Sequence, residues 1–354
     1  MISKPMTSLE RVLTTLGHQE PDRVPFFLLL TMHGAKELGL TIKEYFSQAE
    51  HVIEGQLRLR AKYQHDCYYT FFYAPLEIEA WGGEVIFCSD GPPNSGRPFI
   101  DDPARINHLH VPDLTATPCL RKVLATTEGL KKQVREDAPI IGVVMSPFSL
   151  PVMQMGFPAY LQLMYEQPDL FWKLMAINEE FCVSWANAQL AAGATAICYF
   201  DPVSSPTIIS REDYLKTGHQ MAKRTISRIH GPTVTHLASG RGIDIIDDIA
   251  STGTPAVGVS TLESLAEVKQ RCAGKISIFG NLNGIEMARW TPEQATEKVK
   301  EALVAAAQGG GFILSDNHGE IPWQVSDEVL HAISAAVHRW GHYPLSGALS
   351  PQDA

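Results

Sequence analysis

Two short apolar runs in the second half of the chain end on a histidine. One runs from Pro232 to His236 and continues through Leu237, Ala238, Ser239 and Gly240; the other runs from Gly311 through Asp316 to His318. Each reads as a buried parallel strand, and parallel strands of α/β proteins deliver reactive side chains at their C-terminal ends. Two imidazoles at one rim can ligate a metal ion or exchange protons near neutral pH. A lone strand-end histidine is more often a hydrogen-bonded packing residue, so the functional weight lies on whether the two meet.

Other strand ends carry candidates of the same kind. His33 follows the run at 24–30, and Tyr73, Glu77 and Glu79 follow the run at 66–72. Ser146 and Phe148 follow 139–145, Asp201 follows 194–200, Asn281 follows 276–280, and Asp316 precedes His318. Each has a plainer reading. The two glutamates fit a solvated turn, Asp201 before Pro202 fits a loop cap, and the aromatic run at 68–73 fits core. Their concentration at one end of the strands favours an enzyme over a scaffold.

The elements that must position these residues alternate. Eight short Val- and Ile-rich runs, at 24–30, 66–72, 139–145, 194–200, 232–236, 256–260, 276–280 and 311–314, lack clear alternation, as strands buried on both faces should. Amphipathic stretches lie at 42–62, 170–191, 211–229, 243–251, 262–271 and 292–307, with Ser210 and Thr291 as N-caps. The pattern predicts an α/β protein, a single (β/α)8 TIM barrel over 1–345 with an N-terminal helical extension and a flexible tail at 346–354. A doubly wound sheet shares the pattern. Residues 82–105, rich in Gly, Pro and Asp, break it and read as an excursion after the second strand. The glycines at 309–311 precede the last strand, where they turn the chain rather than cradle phosphate.

Composition narrows the function classes. Lys and Arg total 29 against 39 Asp and Glu, a net charge of −10, which argues against a nucleic-acid or anionic-membrane surface. Six scattered cysteines without a CxxC pair fit reduced thiols and a cytoplasmic protein. No apolar run approaches the ~18 residues of a membrane span. There is no dinucleotide fingerprint, P-loop or nucleophile elbow. Nothing fixes the oligomeric state, and a homodimer stays open.

Several segments together carry a resemblance: Glu-Arg-Val-Leu at 10–13, Pro-Asp-Arg-Val-Pro at 21–25 and Leu-Glu-Ile-Glu-Ala-Trp-Gly at 76–82. Further on stand Ser-Pro-Phe-Ser-Leu at 146–150, Asp-Pro-Val-Ser-Ser-Pro at 201–206, Phe-Gly-Asn at 279–281 and Gly-Gly-Phe-Ile-Leu at 310–314. In this order they resemble the uroporphyrinogen decarboxylase superfamily, which implies a (β/α)8 barrel with its pocket at the strand C-termini. True decarboxylases of that superfamily carry Arg-Gln-Ala-Gly-Arg after the first strand and an aspartate after the second. This chain has Thr31, Met32 and His33 at the first place and Tyr73 at the second. A porphyrinogen with many carboxylates needs cationic clamps, and they are missing.

The chain looks more like the cobalamin-dependent methyltransferase branch, whose Glu-x-Glu-Ala segment is similar to 77–80 here. That branch holds zinc with His-x-Cys after the fifth strand and a cysteine after the eighth. Here the first position is His236, the next is Ala238, and the last aligns with His318. The resemblance therefore implies zinc held by His236 and His318 with a carboxylate, Glu79, Glu77 or Asp316, as third ligand. It further implies methylcobalamin or cob(I)alamin supplied by a separate corrinoid protein, and a small methylated substrate. On that reading His318, Asp201 and Tyr73 are catalytic or positioning groups, and His33, Ser146, Phe148, Asn281 and Asp316 touch substrate. The alternatives are a metal-free decarboxylase or lyase and a non-catalytic binding barrel.

Overall fold

Runs such as Ile140–Met145 favour extended backbone because β-branched side chains lose freedom in a helix and pack well on a pleated surface. The computed structural model describes residues 5–345, so the tail at 346–354 lies outside the described residues. In chain order the strands are β1 (Tyr68–Tyr69), β2 (Val85–Ile86), β3 (Asn94–Ser95), β4 (Ile140–Met145), β5 (Ala196–Phe200), β6 (Thr233–His236), β7 (Ala256–Gly258), β8 (Ser277–Leu282) and β9 (Phe312–Asp316). One parallel sheet carries them in the order β1-β4-β5-β6-β7-β8-β9. The antiparallel pair β2–β3 is separate and forms the excursion expected at 82–105.

Residues 24–30 fill the eighth place without forming a regular strand. Phe26 bridges Leu314 in parallel. Phe27 N donates to Leu314 O at 2.8 Å, and Asp66 N donates to Phe26 O at 2.8 Å. The segment thus bonds to both edges of the sheet and closes a (β/α)8 barrel, while Pro25, lacking an N–H, joins it only through its carbonyl, which accepts from Leu314 N at 3.0 Å. Asp66 pins it. Its carboxylate accepts from Arg23 Nη1 and Arg11 Nη1, each at 2.7 Å, and from Phe26 N at 2.9 Å. Burial alone would raise this carboxyl's pKa, but the Arg23 and Arg11 guanidinium groups reverse the sign and hold it low.

The helices follow from their caps. Thr7 and Glu10 form a capping box on helix Ser8–Leu16, and Thr291 and Gln294 form one on Pro292–Ala306. Ser210 accepts from Asp213 N at 3.0 Å at the start of Arg211–Lys216. The stretch read as one helix at 42–62 is two, Ile42–Tyr45 and Ala49–Tyr63, and Pro118–Val134 and Asp327–Trp340 add to the outer layer. Below β9, Gly309, Gly310 and Gly311 all have positive φ. A Cβ on Gly310 would meet Gln19 O at 2.3 Å, so only glycine lets the turn pass this close. Among the described residues, no helix is long and apolar enough to cross a membrane.

The strands show which face looks inward. On β5, Ile197 and Tyr199 are fully covered by the helical layer, whereas Ala196, Cys198 and Phe200, which point to the barrel axis, keep partial exposure. The inside of this ring is less filled than its outside.

Candidate functional site

His236 ends β6 and is brought beside Phe200 of β5 and Phe279 of β8, with ring centroids 5.0 and 5.3 Å away. Its Nδ1 accepts the backbone N–H of Ala238 at 2.8 Å. Ala238 adopts a left-handed φ of 51°, which turns its N–H back toward the ring. An N–H can only donate, so Nδ1 holds the lone pair and the neutral ring carries its proton on Nε2. Burial, with His318 nearby as a smaller influence, pushes the His236 pKa down to about 4, which keeps the ring neutral at physiological pH.

His318 follows β9 and is tied at both nitrogens. Its Nε2 lies 3.0 Å from Asn283 Oδ1, an oxygen that also accepts from Glu286 N, so Nε2 is the donor. Nδ1 is bonded to Ser239 Oγ. Burial lowers the pKa of this ring as well.

Both histidines line one cavity of about 390 Å³ that occupies the barrel axis. Asp316 and Glu320 line its carboxyl-end mouth, flanked by Pro92, Pro93 and Asn94 of the β2–β3 excursion. Burial raises the pKa of Asp316 to about 7, against a bond from Leu29 N, and that of Glu320 to about 8. Glu320 therefore keeps its proton at neutral pH, and Asp316 titrates across it. Among the described residues, Glu320 Oε2 is buried without a hydrogen-bond partner, and no Lys or Arg lines the cavity.

The remaining candidates are placed elsewhere. Asp201 is a structural knot: its carboxylate accepts from the hydroxyls of Ser146, Ser149 and Ser204, tying the loop after β4 to the loop after β5 away from the cavity. Burial raises its pKa despite the three serines. Ser146 is spent on that knot, and Phe148 is core against Tyr160 and Phe171. Tyr73 packs among Phe46, Phe72 and Phe87 and donates to Glu79 Oε2 at 2.5 Å. Glu77 accepts from Met145 N at 2.9 Å and lines a small separate cavity with Tyr73 and Trp185. Burial raises its pKa to about 8. Asn281 Nδ2 donates to Ser260 O at 3.1 Å. His33 is buried, its ring 6.0 Å from that of Trp323, outside the cavity lining. Of the expected residues, the structure brings His236, His318 and Asp316 together. The one missed is Glu320, whose only signal was a carboxylate two places after His318.

These groups do not fit the expected zinc ion. A metal-bound imidazole offers one nitrogen's lone pair and donates the other nitrogen's proton. His236 has the opposite tautomer, its lone pair taken by Ala238 N, and both nitrogens of His318 are engaged. Glu77 and Glu79, expected as third ligands, belong to the other cavity and to Tyr73. Among the described residues no three His, Cys, Asp or Glu side chains gather into a group that could hold a metal.

Comparison with known proteins places the chain. A family model described as uroporphyrinogen decarboxylase (URO-D) matches residues 7–340. The chain belongs to the uroporphyrinogen decarboxylase family. It is 27% identical to the uroporphyrinogen decarboxylase of Xylella fastidiosa over 94% of this chain and 99% of that one. It is 25% identical to that of Tolumonas auensis over 95% and 98%. Among solved structures, a methyltransferase from Methanosarcina mazei superposes with a TM-score of 0.84 at 22% identity, covering 94% of this chain and 99% of its own. A B12-independent methionine synthase from Shewanella sp. W3-18-1 reaches 0.53 at 13% identity, over 84% and 89%. At these identities the structural likeness speaks for the fold, so this URO-D member's activity has to be argued from its own cavity.

Proposed function

We propose that this URO-D family member is a methyltransferase that takes a methyl group from a small apolar methylated compound and passes it to a corrinoid carried by a separate protein. The observation that carries the reading is the lining of the cavity: apolar walls, a mouth of His236, His318, Asp316 and Glu320, and, among the described residues, no Lys or Arg. A porphyrinogen bearing many carboxylates would meet two carboxyl groups and no cation there, which disfavours decarboxylation of uroporphyrinogen. The methyltransferase neighbour agrees with the reading at the level of fold.

The corrinoid supplies the nucleophile; the chain supplies the rest. Apolar walls exclude water from the methyl group and its heteroatom. His236 donates a hydrogen bond from Nε2–H toward that atom, and Asp316 or Glu320 holds the proton the departing oxygen needs. His318, pinned by Ser239 and Asn283, fixes the rim between β6 and β9. Exposed Ile208 and Leu262, on the loops after β5 and β7, and Ile285, on the helix Gly284–Met287 after β8, offer apolar contacts for a partner at the carboxyl end. No step uses zinc. The test is methyl transfer from methoxybenzene to free cob(I)alamin, followed by the change in corrinoid absorbance, beside an assay with uroporphyrinogen. Transfer without decarboxylation supports the reading; decarboxylation without transfer overturns it.

A further inference from the structure

The axis of a (β/α)8 barrel is normally filled by layers of interlocking side chains. Here one wall is built from small residues, Val143 on β4, Ala196 and Cys198 on β5, Val234 on β6 and Ala256 on β7, which stop short of the axis. The facing wall carries Phe27, Leu29, Tyr69, Phe279 and Ile313. Between them the cavity runs along the axis from His236 at the mouth to helix Ser8–Leu16, whose Val12 and Leu16 pack under it. Thr195 and Phe200 both line it, and the strand between them spans on the order of 15 Å.

The chemistry of the tube is uniform below its mouth. Thr195 Oγ1 accepts from Ile140 N at 3.0 Å, and Ser315 Oγ donates to Asp316 O at 2.8 Å, so each hydroxyl already has one partner in the wall. A charged tail would lose its hydration there and, among the described residues, meet no charged side chain of the lining below the mouth. The tube's length along the strands favours an extended apolar group over a compact one.

We infer that the barrel axis is a binding tube for an uncharged alkyl tail of on the order of ten carbons, from a carbon–carbon bond near 1.5 Å, with the head group at the His236, Asp316 and Glu320 mouth. The tube stands on its walls alone; that the head group is a methyl ether rests on the methyl-transfer reading.

Titration of the purified chain with 1-methoxybutane, 1-methoxyhexane and 1-methoxyoctane, read by calorimetry without any corrinoid, tests it. The Kd falls about fourfold per added methylene, from about 0.8 kcal/mol for each one buried. Cys198→Phe, halfway along β5, blocks the tube at mid-height and flattens that dependence. Cys198→Leu, a smaller insertion, flattens it in part and serves if the larger side chain prevents folding. A wild-type Kd independent of chain length, or folded variants that keep the wild-type dependence, overturns the inference. Ethers that bind by length yet never lose their methyl group leave the tube standing and overturn the methyl-transfer reading. Ethers demethylated with no length dependence do the reverse.

Discussion

Two sectors of the same rim use the same residue types in opposite ways. Between β4 and β5, Asp201 collects three serine hydroxyls and is sealed in protein. Between β6 and β9, His236, Asp316 and Glu320 face a cavity, and His236 Nε2–H and Glu320 Oε2 have no hydrogen-bond partner among the described residues. Both sectors put ionisable groups at strand ends, where chemistry is expected in this architecture. The difference is satisfaction: a carboxylate whose lone pairs are filled holds loops together, and a group left unfilled is available to a ligand.

The comparison breaks most visibly on the closed side. Asp201→Ala leaves three buried hydroxyls without their acceptor and lowers stability by on the order of 3 kcal/mol in urea unfolding. If stability is unchanged while turnover disappears, Asp201 belongs to the working sector after all. On the open side, His236→Ala should leave the unfolding midpoint nearly untouched while lowering methyl transfer by about 100-fold, the usual scale for a positioned proton-handling group. An equal loss in folded fraction would make it a packing residue.

A finer cut comes from pH. On the proposed reading Asp316 or Glu320 works in its protonated form, and burial raises their pKa values to about 7 and about 8. Transfer should therefore be full below neutrality and fall as pH rises through that window, and Glu320→Gln should remove the part of the fall governed by Glu320. A rate that climbs with pH across the window assigns these groups the role of bases instead. Glu77 offers a still smaller effect, on stability alone. Its folded-state pKa, near 8, lies above the unfolded value of about 4.3. The stability it contributes is complete below the unfolded value and lost as pH rises through the folded one. Glu77→Gln should accordingly reduce the drop in Tm between pH 6 and pH 9 by a few °C, on the order expected for a protein of this size.

Much of this architecture could be read from residue order. The strand runs were legible because Val- and Ile-rich segments alternate with capped helices, and the caps at Ser210 and Thr291 were correctly placed. Residues 24–30 were legible as an eighth strand by position but not by regularity, since only the folded ring shows Phe26 joining Leu314 to Asp66. His236, Asp316 and His318 were visible as strand-end residues. Which nitrogen of His236 carries the proton was not, because that depends on the left-handed turn at Ala238. The Asp201 knot was hidden because Ser146 and Ser149 stand more than fifty positions away in the chain. The hollow axis was hidden too, since strands buried on both faces do not declare which residues look inward.

The join between Phe26 and Leu314 also sets a timetable. During synthesis, residues 24–30 can settle early against Asp66, with Arg11 and Arg23 already made. Their other neighbour, β9, emerges only after nearly three hundred further residues. Until then an open edge of unpaired amides and carbonyls faces solvent, and the axial tube has no far wall. Closing a loop of this length is slow and exposes apolar surface while it waits. The ring, and with it any ability to hold an apolar ligand, is therefore acquired late and in one step.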